Sequence, residues 1–351
     1  AQCLVGSEMC IRDSFKGKYH FFYQYNPYSG FWDCMHWGHA VSEDMIHWEY
    51  LPLALAPSEV YDDHLKGGCF SGSAIEHDGK LFLIYTGTCN NGNGFEQAQC
   101  IAYSEDGIHF EKYEGNPVIT APEGVPTDLF RDPKIWKHDD TYYVVCGASK
   151  NGFAQARLYK STDMFHWEFV NVLAESRGEW GYMWECPDIF ALDGHRILAV
   201  CPQGVPSEAE QYQNIYQSGY FIKTEETRTV DASFKGTKET RTVNPSFIEW
   251  DMGFDFYAPQ TFETPVGRRI LIGWAGVPDA EYSSNPMNEG WQHSLTVPRE
   301  LRYHNGKIYQ LPIRELGQLR KKEILPEKES YVLDNGCLLY TSPSPRDTER
   351  S

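Results

Sequence analysis

Two carboxylates in this chain of 351 residues stand in frames that could do acid–base chemistry. Glu185 lies in Met183-Trp184-Glu185-Cys186-Pro187-Asp188-Ile189-Phe190, among aromatic and sulfur-bearing neighbours and just before a proline that interrupts strand pairing. Such surroundings disfavour charge, and a carboxylic acid that stays protonated near neutral pH can act as a general acid. Asp132 lies in Phe130-Arg131-Asp132-Pro133, where the preceding arginine favours the ionised form. Two carboxyl groups pushed in opposite directions are the usual way to divide acid and base roles.

The elements that must position them repeat along the chain. Short β-prone apolar runs follow polar or glycine-containing turns, with anchors at Tyr19, Leu81, Tyr142, Ile197 and Ile270, spaced by 62, 61, 55 and 73 residues. Each run is too short and too rich in aromatic or β-branched residues for an ordinary helix. A second ladder, Ser42-Glu43-Asp44-Met45-Ile46-His47-Trp48, Ser104-Glu105-Asp106-Gly107-Ile108-His109-Phe110 and Ser161-Thr162-Asp163-Met164-Phe165-His166-Trp167, recurs at 62 and 57 residues, in phase with the first. It reads as a turn leading into an outer strand. Five units of about sixty residues, each with room for four strands, predict an all-β fold, a five-bladed β-propeller, rather than a generic β-sandwich. Inner strands of a propeller converge on one funnel, so the third and fourth blades can each deliver a carboxylate to a shared pocket.

Composition narrows the function classes. With 31 Lys plus Arg against 49 Asp plus Glu, the formal net charge of −18 argues against nucleic acid or an anionic membrane as a partner. No apolar run of about eighteen residues is present to span a bilayer. Aromatics at 15% suit β-structure and flat sugar-binding surfaces. The ten cysteines include no Cys-x-x-Cys pair, and several sit in apolar runs (Val145-Cys146, Val200-Cys201), which points to a reduced, cytoplasmic protein. His36 and His39 lack a partner set for metal, and no metal or cofactor is expected.

Six stretches carry a resemblance: Phe22-Tyr23-Gln24-Tyr25-Asn26-Pro27, His36-Trp37-Gly38-His39-Ala40, Phe70-Ser71-Gly72-Ser73-Ala74, Phe130-Arg131-Asp132-Pro133, Trp184-Glu185-Cys186-Pro187-Asp188 and Asp255-Phe256-Tyr257-Ala258-Pro259-Gln260. In this order they resemble glycoside hydrolase family 32, the β-fructofuranosidases, and most of all the bacterial members that act on sucrose 6-phosphate. The likeness runs from about Phe15 to about Pro312. It implies hydrolysis of the β-fructofuranosidic bond of sucrose 6-phosphate or sucrose with retention of configuration, through an aspartate nucleophile, a glutamate acid/base and a third carboxylate on the fructosyl ring. By the same resemblance Glu185 is the acid/base, Asp132 stabilises the transition state, and Arg131 sits near Glu185 and the sugar. Gln24, Trp32, Phe70, Ser71 and Trp274 then line the fructose subsite, with Asp255 and Gln260 orienting it from behind. Read from the residues alone, Trp32 and Trp274 serve equally well as blade packing; for Asp132 and Glu185 a strand-end turn carboxylate is the lesser alternative, and Cys186 reads as a packing neighbour of the acid rather than a nucleophile. A phosphate preference needs a basic group, for which Lys66, Arg157 and Lys150 are candidates.

One part of the family pattern is missing. The nucleophile belongs to an Asn-Asp-Pro-Asn-Gly turn sixteen residues before Gln24, a count that reaches Glu8 in Gly6-Ser7-Glu8-Met9-Cys10-Ile11-Arg12-Asp13-Ser14, where nothing matches. A longer glutamate on a different turn misplaces its oxygens by about an ångström, enough to cost heavily in rate. The segments 1–14 and 338–351 resemble translated sequencing-adapter read-through and are expected to be non-native. The catalytic propeller is expected over 15–312. Residues 313–337 would form a linker and the stub of the family's C-terminal β-sandwich, with a short helix over 315–322. The propeller face that such a module covers would be exposed and the chain poorly soluble. This chain is expected to be nearly or wholly inactive. A fructan hydrolase or fructosyl transferase on the same site, or a non-catalytic fructoside-binding propeller, are the competing readings.

Overall fold

The computed structural model describes residues 9–222, 247–253, 255–279 and 292–321, with the backbone alone over 9–14. The chain divides into two compact units, Ala1–Ile313 and Arg314–Ser351. The first unit holds five antiparallel sheets in chain order. Blade one comprises Met9–Phe15, Lys18–Tyr25, His36–Ser42 and Glu49–Leu55. Blade two comprises Gly68–His77, Lys80–Asn90, Phe95–Ser104 and Glu111–Lys112, with Ile119–Thr120 beside its third strand. Blade three comprises Phe130–His138, Thr141–Lys150, Phe153–Ser161 and Glu168–Glu175. Blade four comprises Met183–Leu192, His195–Gln203, Gly219–Ile222 and Ile248–Glu249. Blade five comprises Tyr257–Glu263, Arg269–Ala275, Arg299–His304 and Lys307–Pro312, with Ser294–Leu295 beside its second strand.

The first strands of the five blades touch one another in cyclic order, the fifth closing on the first. This is the five-bladed β-propeller that the spacing predicts. The apolar ladder forms the second strand of every blade. Its residues are buried on both sides, as in Leu81-Phe82-Leu83-Ile84-Tyr85, because each sheet packs a neighbour on either face. One such core joins Ile75, Phe82, Ile84 and Ile101 of blade two to Phe130, Ile135, Tyr142 and Val144 of blade three. The second ladder lies between third and fourth strands. In each copy the aspartate accepts from the serine hydroxyl, from two backbone amides and, at 2.7 Å, pairs with the histidine Nδ1 (Asp44–His47, Asp106–His109, Asp163–His166). The aspartate of each turn is therefore satisfied from within the turn itself.

The inner position of blade one is filled by Met9–Phe15, paired from Met9 opposite Tyr23 to Phe15 opposite Lys18. Ladder bonds use backbone groups common to nearly every residue, so a stretch without the family motif still completes a sheet. Glu8 and residues 338–351 lie outside the described residues. In the second unit, the helix expected over 315–322 is a 3₁₀ helix at Arg314–Leu319. Gly317 in so short a run removes the propensity an α-helix needs.

Candidate active site

One backbone device recurs on the inner strands of blades three, four and five. Each carries a bulge near its start, between Arg131 and Lys134, between Glu185 and Asp188, and between Tyr257 and Gln260. In each the bulge begins with a residue in the left-handed region, Asp132 (φ 64°), Cys186 (φ 48°) and Ala258 (φ 44°), followed by Pro133, Pro187 or Pro259. A non-glycine residue there costs about 1–3 kcal/mol, and such strain gathers at functional sites. Blade two has its bulge at Ser71, between Phe70 and Gly72.

The residues before these bulges converge. Arg131 Nε donates to Oε1 of Glu185 at 2.9 Å and lies 3.9 Å from Oδ2 of Asp132. Gln203 Nε2 donates to Oε2 of Glu185 at 2.9 Å, and the Tyr257 hydroxyl donates to the same oxygen. Tyr182 in turn donates its hydroxyl to Oε1 of Gln203 at 3.1 Å, which fixes the amide so that its NH₂ faces the carboxylate. Glu185 is thus held by three donors. That corrects the apolar frame read from its sequence neighbours. Side chains alternate along a strand, so Trp184 packs into the core between blades three and four, while the Cys186 thiol stays beside the site, clustered with Tyr257 and Trp274 and 3.9 Å from Oδ2 of Asp132. Burial first, and the Glu185 carboxylate second, hold the Tyr257 phenol well above its ordinary value of 10, so it remains a donor.

Asp132 is held from two sides. Its amide donates to Thr86 Oγ1 at 3.0 Å, and Thr86 is tied to Gln99, which also bonds Phe130 O. Its Oδ2 accepts from the Cys186 amide at 3.0 Å. Gly147, opposite Arg131, permits this closeness, since a Cβ there would lie 1.9 Å from the Trp184 carbonyl oxygen. Below this layer, Lys134 of blade three lies 3.4 Å from Asp188 of blade four and bonds Gln260 and Thr261 of blade five, and Thr261 donates twice to Asp188.

The remaining sequence-predicted residues fall as follows. Gln24 is buried, donates to Cys69 O at 2.8 Å, and its Oε1 has no partner among the described residues. Ser71 Oγ and Trp274 Nε1 are likewise buried with no partner among the described residues. Buried polar atoms are nearly always bonded, so three such atoms suit a hydroxyl-rich ligand. Trp274 stands opposite Tyr257 in the ladder and packs its ring with Tyr257, Cys186 and Cys201. Trp32 is 41% exposed and meets the edge of Phe70 in a T-shaped contact at 5.4 Å between centroids, which is not the buried setting of blade packing. Gln260 serves the Lys134 layer, and Asp255 acts on His293, which packs on Trp274. His36 Nδ1 pairs with Cys34 O, and His39 with His20. Lys66 sits 3.9 Å from Asp33, Lys150 bonds Glu123 O, and Arg157 is buried against Gln155 and the Phe169 ring.

Comparison with known proteins decides the family. Residues 12–312 match the model of the glycosyl hydrolases family 32 N-terminal domain. The chain belongs to glycoside hydrolase family 32. It is 40% identical over 315 residues to the sucrose-6-phosphate hydrolase of Bacillus subtilis, covering 88% of this chain and 62% of that protein. It is 41% identical over 316 residues to the raffinose invertase of Escherichia coli, again covering 88% and 62%. Among solved structures, a Bombyx mori β-fructofuranosidase mutant in complex with sucrose superposes with a TM-score of 0.78 at 39% identity, covering 92% of this chain and 67% of that one. The chain therefore spans about three-fifths of the length of these curated relatives.

Within this family 32 propeller, Tyr257, Gln203 and Tyr182 surround Glu185 in the candidate site and were not singled out from the sequence. A signal for Tyr257 was present, since Tyr257-Ala258-Pro259-Gln260 shares the frame of Arg131-Asp132-Pro133-Lys134 and Glu185-Cys186-Pro187-Asp188. Gln203 and Tyr182 carry no comparable mark.

Proposed function

We propose that the chain is the catalytic propeller of a β-fructofuranosidase that cleaves sucrose 6-phosphate or sucrose with retention of configuration. The observation that carries this is the Glu185 carboxylate, fixed by Arg131, Gln203 and Tyr257 and joined to Asp132 through the Cys186 amide. Family membership and the names of the relatives support the substrate class. Glu185 protonates the leaving oxygen and later takes a proton from water. Asp132 binds ring hydroxyls and stabilises the oxocarbenium-like charge, with Arg131 fixing both carboxylates. Gln24, Ser71 and Trp274 offer their unpartnered atoms to the fructosyl hydroxyls, and Trp32 and Phe70 cover its C–H surface.

The nucleophile is the position still to be filled. Replacing Ser7–Ile11 with Asn-Asp-Pro-Asn-Gly, which includes Glu8→Asp, is expected to bring fructose release from sucrose where the unaltered chain shows almost none. Proton NMR of the first fructose formed should show the β anomer. A repaired chain that binds sucrose and never cleaves it would overturn the enzyme reading in favour of a binding propeller. Release of oligofructosides in place of free fructose would favour the transferase.

A further inference from the structure

Beside Glu185, in blades four and five, stand Tyr182, Tyr216 and Asp279, to which the reading above gives no contact with the fructosyl ring. Tyr182 is 42% exposed, although its hydroxyl is anchored on Gln203. Its backbone amide donates to Gln203 O at 2.9 Å. Two glycines press it into place. A Cβ on Gly204 would lie 2.6 Å from the Tyr182 ring, and one on Gly181 would lie 2.1 Å from Gln203 O. The ring is therefore both open to solvent and fixed in position, so binding against it costs little ordering. Gln203 also forms an isolated backbone bridge with Tyr216, whose hydroxyl donates to Asp279 Oδ2 at 2.9 Å and whose ring lies 6.1 Å from that of Tyr257. Asp279 holds a left-handed backbone (φ 56°). Both Tyr182 and Tyr216 thus sit one residue removed from the acid/base, through Gln203 and Tyr257 respectively.

A group protonated by Glu185 leaves for solvent, and Tyr182 is an exposed face joined to Glu185 through Gln203. We propose, building on the fructosidase reading above, that Tyr182 with the Tyr216–Asp279 pair forms the leaving-group subsite, and that it takes an uncharged sugar in preference to a sugar phosphate. The Tyr182 face stacks on the C–H surface of the leaving sugar, and the Asp279 carboxylate accepts from its hydroxyls. A phosphate dianion here meets a carboxylate, and like charges at close range repel. Contact with Tyr182 passes to Glu185 through the Gln203 amide, so an occupied subsite also steadies the acid.

Isothermal titration of the 351-residue chain with fructose, sucrose and sucrose 6-phosphate tests this. Sucrose is expected to bind more tightly than fructose, and sucrose 6-phosphate less tightly than sucrose. Tyr182→Ala should weaken sucrose binding about tenfold more than it weakens fructose binding, the size of one good aromatic contact, with a single cooperative urea-unfolding transition reporting an intact fold. Tyr182→Phe should keep most of the sucrose advantage. Asp279→Asn should strengthen sucrose 6-phosphate binding by about tenfold and leave fructose unchanged. If the chain cleaves sucrose, the same comparisons are read as kcat/KM for sucrose and sucrose 6-phosphate, with fructose as a competitive inhibitor. Equal weakening of fructose and sucrose by Tyr182→Ala, no weakening of either, or a preference of the unaltered chain for sucrose 6-phosphate would each overturn the proposal. Fructose binding without any gain for sucrose refutes the subsite alone, whereas failure to bind any of the three refutes the fructosidase reading with it.

Discussion

The backbone amide of Cys186 donates to Oδ2 of Asp132 at 3.0 Å, so the peptide that carries Glu185 is bonded directly to the neighbouring carboxylate. The two carboxylates are positioned as one unit across two blades. Asp132→Ala would leave a buried amide unsatisfied as well as deleting a charge from the sugar site. It is expected to lower unfolding stability by about 1–3 kcal/mol, measurable by urea denaturation. A chain that loses sugar binding with unchanged stability would show that the amide bond does not hold the blades.

Tyr257 and Gln203 share one oxygen of Glu185. In the chain repaired at Ser7–Ile11, Tyr257→Phe keeps the ring and removes the donor. Steady-state kinetics should show kcat lowered about tenfold with KM nearly unchanged, the signature of an interaction with a reacting group rather than with ground-state sugar. A rise in KM at constant kcat would place Tyr257 in ground-state sugar binding instead.

Among the described residues four histidines, the buried His20, His36 and His39 and the half-buried His293, are held toward the neutral form by burial. Burial lowers His20 to about 4, His39 to about 3 and His293 to about 4, and His20 pairs with His39 at 3.0 Å. In the unfolded chain each takes a proton near pH 6.5, while the fold refuses it. Stability is therefore full above pH 6.5 and falls as the pH drops toward 4, at up to about 1.4 kcal/mol per pH unit for each histidine. Melting temperatures from pH 7.5 to 5 should trace this decline. His39→Phe, which keeps the stack on Phe22, should flatten it, and an unchanged slope would assign the decline to other groups.

Lys134 and Asp188 are nearly buried, and they join blades three and four beneath the site. Lys134→Met strands the Asp188 charge and should cost about 3–5 kcal/mol. Adding Asp188→Asn to that variant should recover part of the loss. A double-mutant cycle read by denaturant unfolding checks the coupling, and simple additivity would show that the pair does not interact.

The fold was legible because the five apolar runs and the three serine–aspartate–histidine turns repeat in phase, and a closed ring of like blades is the arrangement that satisfies both ladders. Asp132, Glu185 and Arg131 were legible because their residue types and the prolines beside them mark the bulges. The surroundings of Glu185 were not. Trp184 adjoins it in the chain and turns into a core, whereas its partners Gln203 and Tyr257 lie 18 and 72 residues off. Tyr257 is one of 22 tyrosines, and only its proline-marked frame set it apart. The sequence also gave no hint that Met9–Phe15 pairs as a strand, because ladder bonding is indifferent to side-chain identity.

The three proline-marked bulges have a consequence for how such a site can change. Each places one side chain at the mouth of the funnel with the same backbone, whether that side chain is a guanidinium, a carboxylic acid or a phenol. The scaffold thus works as a set of equivalent sockets around an axle. Exchanging the occupant of one socket alters the chemistry and leaves its frame alone, so this architecture can be retooled one blade at a time.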